Sequence, residues 1–128
     1  MEDASRSDDD TVTLTIPGHA MYLRLARLAA ADTGARAGLS IADLEDLRIA
    51  VDELAYALIG TENSRAPLTL HYLASDGVVV IDGVCSANGV SSELSELART
   101  IVGAIADEHE IEDDGETRRF RLVKRTRG

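Results

Sequence analysis

The chain has no tryptophan, one phenylalanine, one cysteine and two prolines in 128 residues. With aromatics at 3%, its core has to be assembled from Leu, Ile, Val and Ala. A single cysteine, Cys85, excludes an intrachain disulfide and fits a reducing cytoplasm. No run approaches the roughly 20 consecutive apolar residues of a membrane-spanning helix. The N-terminus carries no basic-then-apolar leader pattern. The expectation is a cytoplasmic protein that does not enter a membrane. Positive charge is also short: 13 Lys and Arg face 23 Asp and Glu, a formal net charge of −10. That balance disfavours a nucleic-acid partner and suits a basic protein partner or simple solubility.

What is present supports one domain with one core. Residues of hydrophobic type make up 45% of the chain, and a chain of this length can bury a substantial apolar interior. Charge is segregated at the ends. Residues 1–10 carry Glu2, Asp3, Asp8, Asp9 and Asp10 against Arg6, and read as a disordered acidic tail. Residues 11–124 form the domain. The basic end, with Arg118, Arg119, Arg121, Lys124, Arg125 and Arg127, reads as a strand running into a short tail at 125–128.

Residues 11–16, TVTLTI, alternate and are β-branched, predicting a strand that Pro17-Gly18 ends. Residues 19–36 predict a helix with Tyr22, Leu25, Ala26, Ala29 and Ala30 inward, and with Arg24 and Arg27 near its rim. Ser40 caps a second helix, and Asp43 completes an S-x-x-[DE] start signal. Residues 68–74 and 78–82 predict two strands joined by Ser75-Asp76-Gly77, a strong hairpin signal. The continuous run 78–81 suggests a central strand covered on both faces. A polar loop over 83–90 and a cap at Ser91 or Ser92 lead to a third helix striped by Leu94, Leu97, Ala98, Ile101 and Ile105. Residues 109–112 and 117–123 flank Asp113-Asp114-Gly115, a second hairpin. The expected order is β, α, α, β, β, α, β, β. A two-layer α/β (α+β) sandwich, its mixed and mostly antiparallel sheet carrying helices on one face, buries every apolar stripe.

The second helix is the most informative stretch. In residues 44–60, LEDLRIAVDELAYALIG, Leu44, Leu47, Val51, Leu54 and Leu58 mark the core face. Ile49, Ala50, Glu53, Ala57 and Gly60 form an adjoining face of small and apolar residues around one carboxylate. A carboxylate so placed needs a partner or a job. His19, His71 and His109 are dispersed, with no metal-ligand spacing to one another or to Cys85, so no metal site is expected.

The segment LRIAVDEL resembles the Glu-bearing helix of the GHKL (Bergerat-fold) ATPases, and most of all their small branch of anti-sigma factors and serine-protein kinases in bacterial partner switching. The resemblance spans about residues 11–124 and implies a histidine-kinase-like ATPase fold. It makes Glu53 the vestige of a catalytic base that orients and deprotonates a nucleophile. The family's Mg²⁺-holding Asn, one turn later, is Ala57 here. Asp82 stands where the family's D-x-G-x-G motif reads the adenine amino group, with Val84 and Ser86 at the glycine positions and Gly83 one residue out of register. The family's long lid and second Gly-rich box are replaced by the eight residues 83–90, a fold without the ATP lid. The resemblance thus implies an anti-sigma factor with a degenerate nucleotide site and no cofactor. It would sequester an alternative sigma factor and be released by an anti-anti-sigma (STAS-type) partner. Arg24 falls where the family carries an interface arginine, Arg27 lies one turn on, and a homodimer paired through its sheets is implied. The alternative is an active, ATP- and Mg-dependent serine/threonine kinase of the anti-anti-sigma protein, with Glu53 as base and Asp82 on the adenine.

Overall fold

A computed structural model describes residues 10–60, 66–86 and 94–127. Among these residues are five strands: β1 (Val12–Ile16), β2 (Leu68–Ser75), β3 (Val78–Ser86), β4 (Glu108–Asp113) and β5 (Thr117–Arg125). Three α-helices accompany them: α1 (Leu23–Ala37), α2 (Ile41–Ile59) and α3 (Glu96–Ile105), with a short 3₁₀ turn at Ala20–Tyr22 before α1. The strands form one sheet in the order β1-β2-β3-β5-β4. All four pairings are antiparallel. The two-layer architecture expected from the pattern is the one observed, with the helices on a single face.

Both hairpins form where Asp-Gly stands. In the first, β2 ends at Ser75 and β3 begins at Val78, and Gly77 takes φ +77, a conformation that costs an L side chain more than glycine. The second turn is fastened by its own carboxylates. Asp113 accepts from the Gly115 N–H, and Asp114 from those of Glu116 and Thr117. Helix starts follow their caps. The Ser40 hydroxyl accepts from the Asp43 N–H at 3.1 Å. The third cap is Ser95, accepting from the Ala98 N–H at 3.0 Å, rather than Ser91 or Ser92, which lie outside the described residues.

Strand parity decides the core. On β2, Leu68, Leu70 and Tyr72 are buried beneath the helices. On β3 the inward residues are Val79, Ile81, Gly83 and Cys85. Gly83 is required there: a Cβ would run into the Phe120 ring lying across it on β5. Leu47, Val51, Leu54 and Leu58 of α2 complete the interior at full burial, and Leu44 packs half-buried against it. Tyr72 also donates to the Ala26 carbonyl at 3.0 Å, tying sheet to α1, and burial pushes its phenol well above the usual range.

Four expectations are corrected. On α1 the inward line is Leu23, Ala26, Ala30, Thr33, Gly34 and Ala37, whereas Tyr22 and Leu25 are 37% and 42% exposed. The buried arc is rotated because it follows the sheet rather than the longest side chains. On α3, Ala98 and Val102 are buried while Leu97 is 71% exposed. The run 78–81 is central in the sheet but covered on one face only, so Val78 and Val80 remain half-exposed. The presumed loop beginning at Gly83 is strand through Ser86, paired with β5 along its length; the remainder of that loop, 87–90, lies outside the described residues. The acidic segment 1–9 lies outside them too.

The basic end is fastened rather than loose. Arg125 closes β5, and the Arg127 N–H donates to Asp43 at 3.2 Å. Lys124 is 1% exposed. Its Nζ donates to the Ile105 carbonyl at the end of α3 at 2.7 Å and lies 3.6 Å from both Asp43 and Asp46 near the start of α2. A cation thus meets the C-terminal end of one helix and acidic residues at the N-terminal end of another, the favourable arrangement for both dipoles.

Candidate functional site

Glu53 emerges from the middle of α2 half-buried, and no described residue gives it a hydrogen bond or an ion pair. It borders a shallow groove of about 220 Å³ shared with Arg27, Glu45, Arg48, Ile49 and Asp52. The two arginines of this groove are engaged elsewhere: Arg27 reaches Asp52 at 2.6 Å, and Arg48 reaches Glu45 at 2.8 Å. Ala57, one turn after Glu53, packs half-buried against the core. A methyl group there offers no metal ligand. Among the described residues, no three His, Cys, Asp or Glu side chains cluster as a metal site.

Asp82 is not where the motif reading put it. It is the fifth residue of β3 rather than its end, and its parity points it to the sheet face without helices. There it accepts from Arg121 of β5 at 2.9 Å and 3.3 Å. Glu53 and Asp82 therefore lie on opposite sides of the sheet, and the structure does not bring them together. The four-residue apolar run concealed the alternation that sets this register. Asp82 instead lines an open-face basin of about 570 Å³ with His71, Glu110, Glu112, Arg119 and Arg121.

The inward residue at the end of β3 is Cys85, 4% exposed and inside the strand rather than in a loop. Burial pushes its thiol up; the Arg118 charge opposes this and Asp113 reinforces it. A protonated, enclosed thiol is a core filler, not a nucleophile. Opposite it in register is Arg118, 1% exposed. Its guanidinium donates to the Leu58 carbonyl at 3.2 Å and to Asp113 at 3.3 Å, while Nη2 has no acceptor among the described residues. Arg118 and Lys124 were missed as interior residues. The signal was available, because both share the parity of Phe120 and Leu122 on β5.

Of the two arginines expected at a partner surface, Arg24 is exposed on α1 with no described ion-pair partner. Arg27 is held by Asp52, bridging α1 to α2.

Architecture and α2 together define the class: a two-layer domain of the GHKL type, in its small anti-sigma and serine-protein kinase branch. The chain belongs to the RsbW family within that branch. Its similarity is to Serine-protein kinase RsbW of Listeria monocytogenes serovar 1/2a, 32% identical over 97 residues, 72% of this chain and 59% of that protein. The protein of the same name from serotype 4a is 30% identical over 116 residues, 87% of this chain and 68% of that protein. The chain thus spans three-fifths to two-thirds of these relatives. The crystal structure of the RsbU and RsbW domains of Rv1364c from Mycobacterium tuberculosis shares the fold, with a TM-score of 0.69, 18% identity, and coverage of 90% of this chain and 32% of that one. No model of a known protein family matches the chain.

Proposed function

We propose that this protein is a cytoplasmic anti-sigma factor that works by sequestration alone: it binds an alternative sigma factor through α1 and yields it when an anti-anti-sigma (STAS-type) protein competes. The observation that carries this reading is the separation of Glu53 and Asp82 onto opposite sides of the sheet, with Ala57 where a metal ligand would be needed. Phosphoryl transfer depends on positioning and on metal neutralisation of the phosphates, and neither is supported by that arrangement. Mutually exclusive protein binding needs no chemistry. Arg24 supplies an exposed guanidinium on α1 with no ion-pair partner among the described residues, suited to a partner carboxylate. The sheet face without helices, with an acidic row on β4 beside a basic row on β5, suits pairing with a second copy.

Titration calorimetry with millimolar Mg-ATP tests the reading, and no saturable heat is expected. Dissociation in the low micromolar range, or ATP-dependent phosphorylation of an anti-anti-sigma protein, would establish the serine kinase instead. Arg24→Glu should weaken the sigma complex by at least about tenfold, since truncating a buried interfacial charge alone costs about 2–5 kcal/mol.

A further inference from the structure

The sheet has two edges of opposite character. β1 carries no charged residue from Val12 to Ile16, so no side chain there specifies an occupant. β4 carries the run Glu108, His109, Glu110, Ile111, Glu112, Asp113, and among the described residues no strand lies on its outer side. An edge strand turns alternate N–H and C=O groups outward, where they can take another strand. The two flanks of β4 also differ. Glu110 and Glu112 stand on the open face, where they line the basin shared with Asp82, Arg119 and Arg121. His109 and Ile111 stand on the helix side and are only half-buried, although Leu122 and Phe120 opposite them on β5 are 0% and 2% exposed. The apolar layer beneath the helices therefore runs out across β4.

The carboxylates of this edge are not all neutralised within the chain. Arg125 pairs with Glu108 at 3.0 Å, and Arg118 with Asp113 at 3.3 Å. Arg121, opposite Glu110 in register, is turned to Asp82 instead, at 2.9 Å. Glu110 and Glu112 have no ion-pair partner among the described residues. We infer that β4 is a strand-addition edge. Its occupant is an extended segment of a partner protein with lysine or arginine at alternate residues and aliphatic side chains between them. Successive side chains of a strand alternate between faces. Paired beside β4, such a segment therefore sets its cations against Glu110 and Glu112 on the open face, and its aliphatic groups beside His109 and Ile111 on the helix side. Main-chain bonds supply the affinity, and the alternating side chains choose the partner. A second copy of this chain fits the edge poorly. β4 against β4 would oppose two glutamate rows, and β1 would bring no cation to meet them.

Strand addition at β4 is independent of the anti-sigma reading and is tested on the full chain without a natural partner. The probe is a short fluorescein-labelled peptide alternating lysine and valine, titrated by fluorescence anisotropy at physiological salt. Binding should saturate, and a scrambled peptide of the same composition should bind at least about tenfold more weakly. N-methylation removes amide donors without changing the peptide's charge. Methylating one alternate set of amides should weaken binding at least about tenfold, whereas methylating the other set, which faces away from β4, should leave it within about threefold. The paired substitutions Glu110→Lys and Glu112→Lys should lower affinity at least about tenfold in a chain whose circular dichroism is unchanged. Should that chain fail to fold, Glu110→Gln with Glu112→Gln replaces it, with a loss of about threefold or more expected. Absence of saturable binding, equal effects of the two methylated sets, or unchanged affinity in the folded variants would each overturn strand addition. Equal binding of the scrambled peptide would overturn it too, marking a general attraction of an acidic chain for cations.

Discussion

Replacing Lys124 with methionine keeps the length and apolar stem of the side chain but removes its charge. The ammonium group is buried, 2.7 Å from the Ile105 carbonyl and 3.6 Å from Asp43 and Asp46. A charge-assisted hydrogen bond to a carbonyl contributes about 1.5–3 kcal/mol net. Removing one partner of a buried ion pair costs about 3–5 kcal/mol when the other is left uncompensated. Here Asp43 keeps the Arg127 N–H and the Ser40 cap, so the lower part of that range applies, and a loss of about 2–4 kcal/mol is expected. For a domain of this size that lowers Tm by about 10 °C. Differential scanning calorimetry at pH 7 measures it directly. The pH dependence adds a second check. Burial alone would raise the Asp43 carboxyl, but the Arg127 N–H, the Ser40 side chain, and the charges of Lys124 and Arg127 outweigh it and hold the group below its ordinary 3.8. A depressed carboxylate stabilises fully above its unfolded value and loses that contribution as pH falls through the folded one. The deficit of Lys124→Met should therefore be largest at neutral pH and narrow below about pH 4. A Tm drop under about 3 °C at pH 7, or a deficit that grows on acidification, would refute the reasoning.

Other perturbations are read by calorimetry or by urea denaturation. Gly83→Ala forces a methyl group into the Phe120 ring, and overpacking of this kind should cost about 1–3 kcal/mol; a neutral result would mean that β5 shifts freely. Tyr72→Phe leaves the Ala26 carbonyl without its donor and should cost about 1 kcal/mol in urea denaturation with an unchanged m-value. Ser95→Ala removes the α3 cap at a cost of about 1 kcal/mol, and an unchanged Tm would refute that assignment.

Much of this protein was legible without coordinates. The Asp-Gly dipeptides fixed both hairpins because few other residues accept those turn dihedrals. Ser40 and the Leu47, Val51, Leu54, Leu58 line fixed α2, because a long amphipathic period has one solution. Element order and the two-layer plan followed from those local rules. Tertiary structure alone decided which face each ambiguous segment presents. VVVI carries no alternation, so the outward parity of Asp82 came from its pairing with Arg121 and from Gly83 yielding space to Phe120. In TRRFRLVKR, parity marks Arg118 and Lys124 as inward, yet burying either requires acceptors from distant segments: the Leu58 carbonyl at the end of α2, and the Ile105 carbonyl with Asp43 and Asp46 between α3 and α2. A charged side chain goes inside when the fold brings partners to it. Those partners lie at the ends of other elements, and only packing places helix ends against strands.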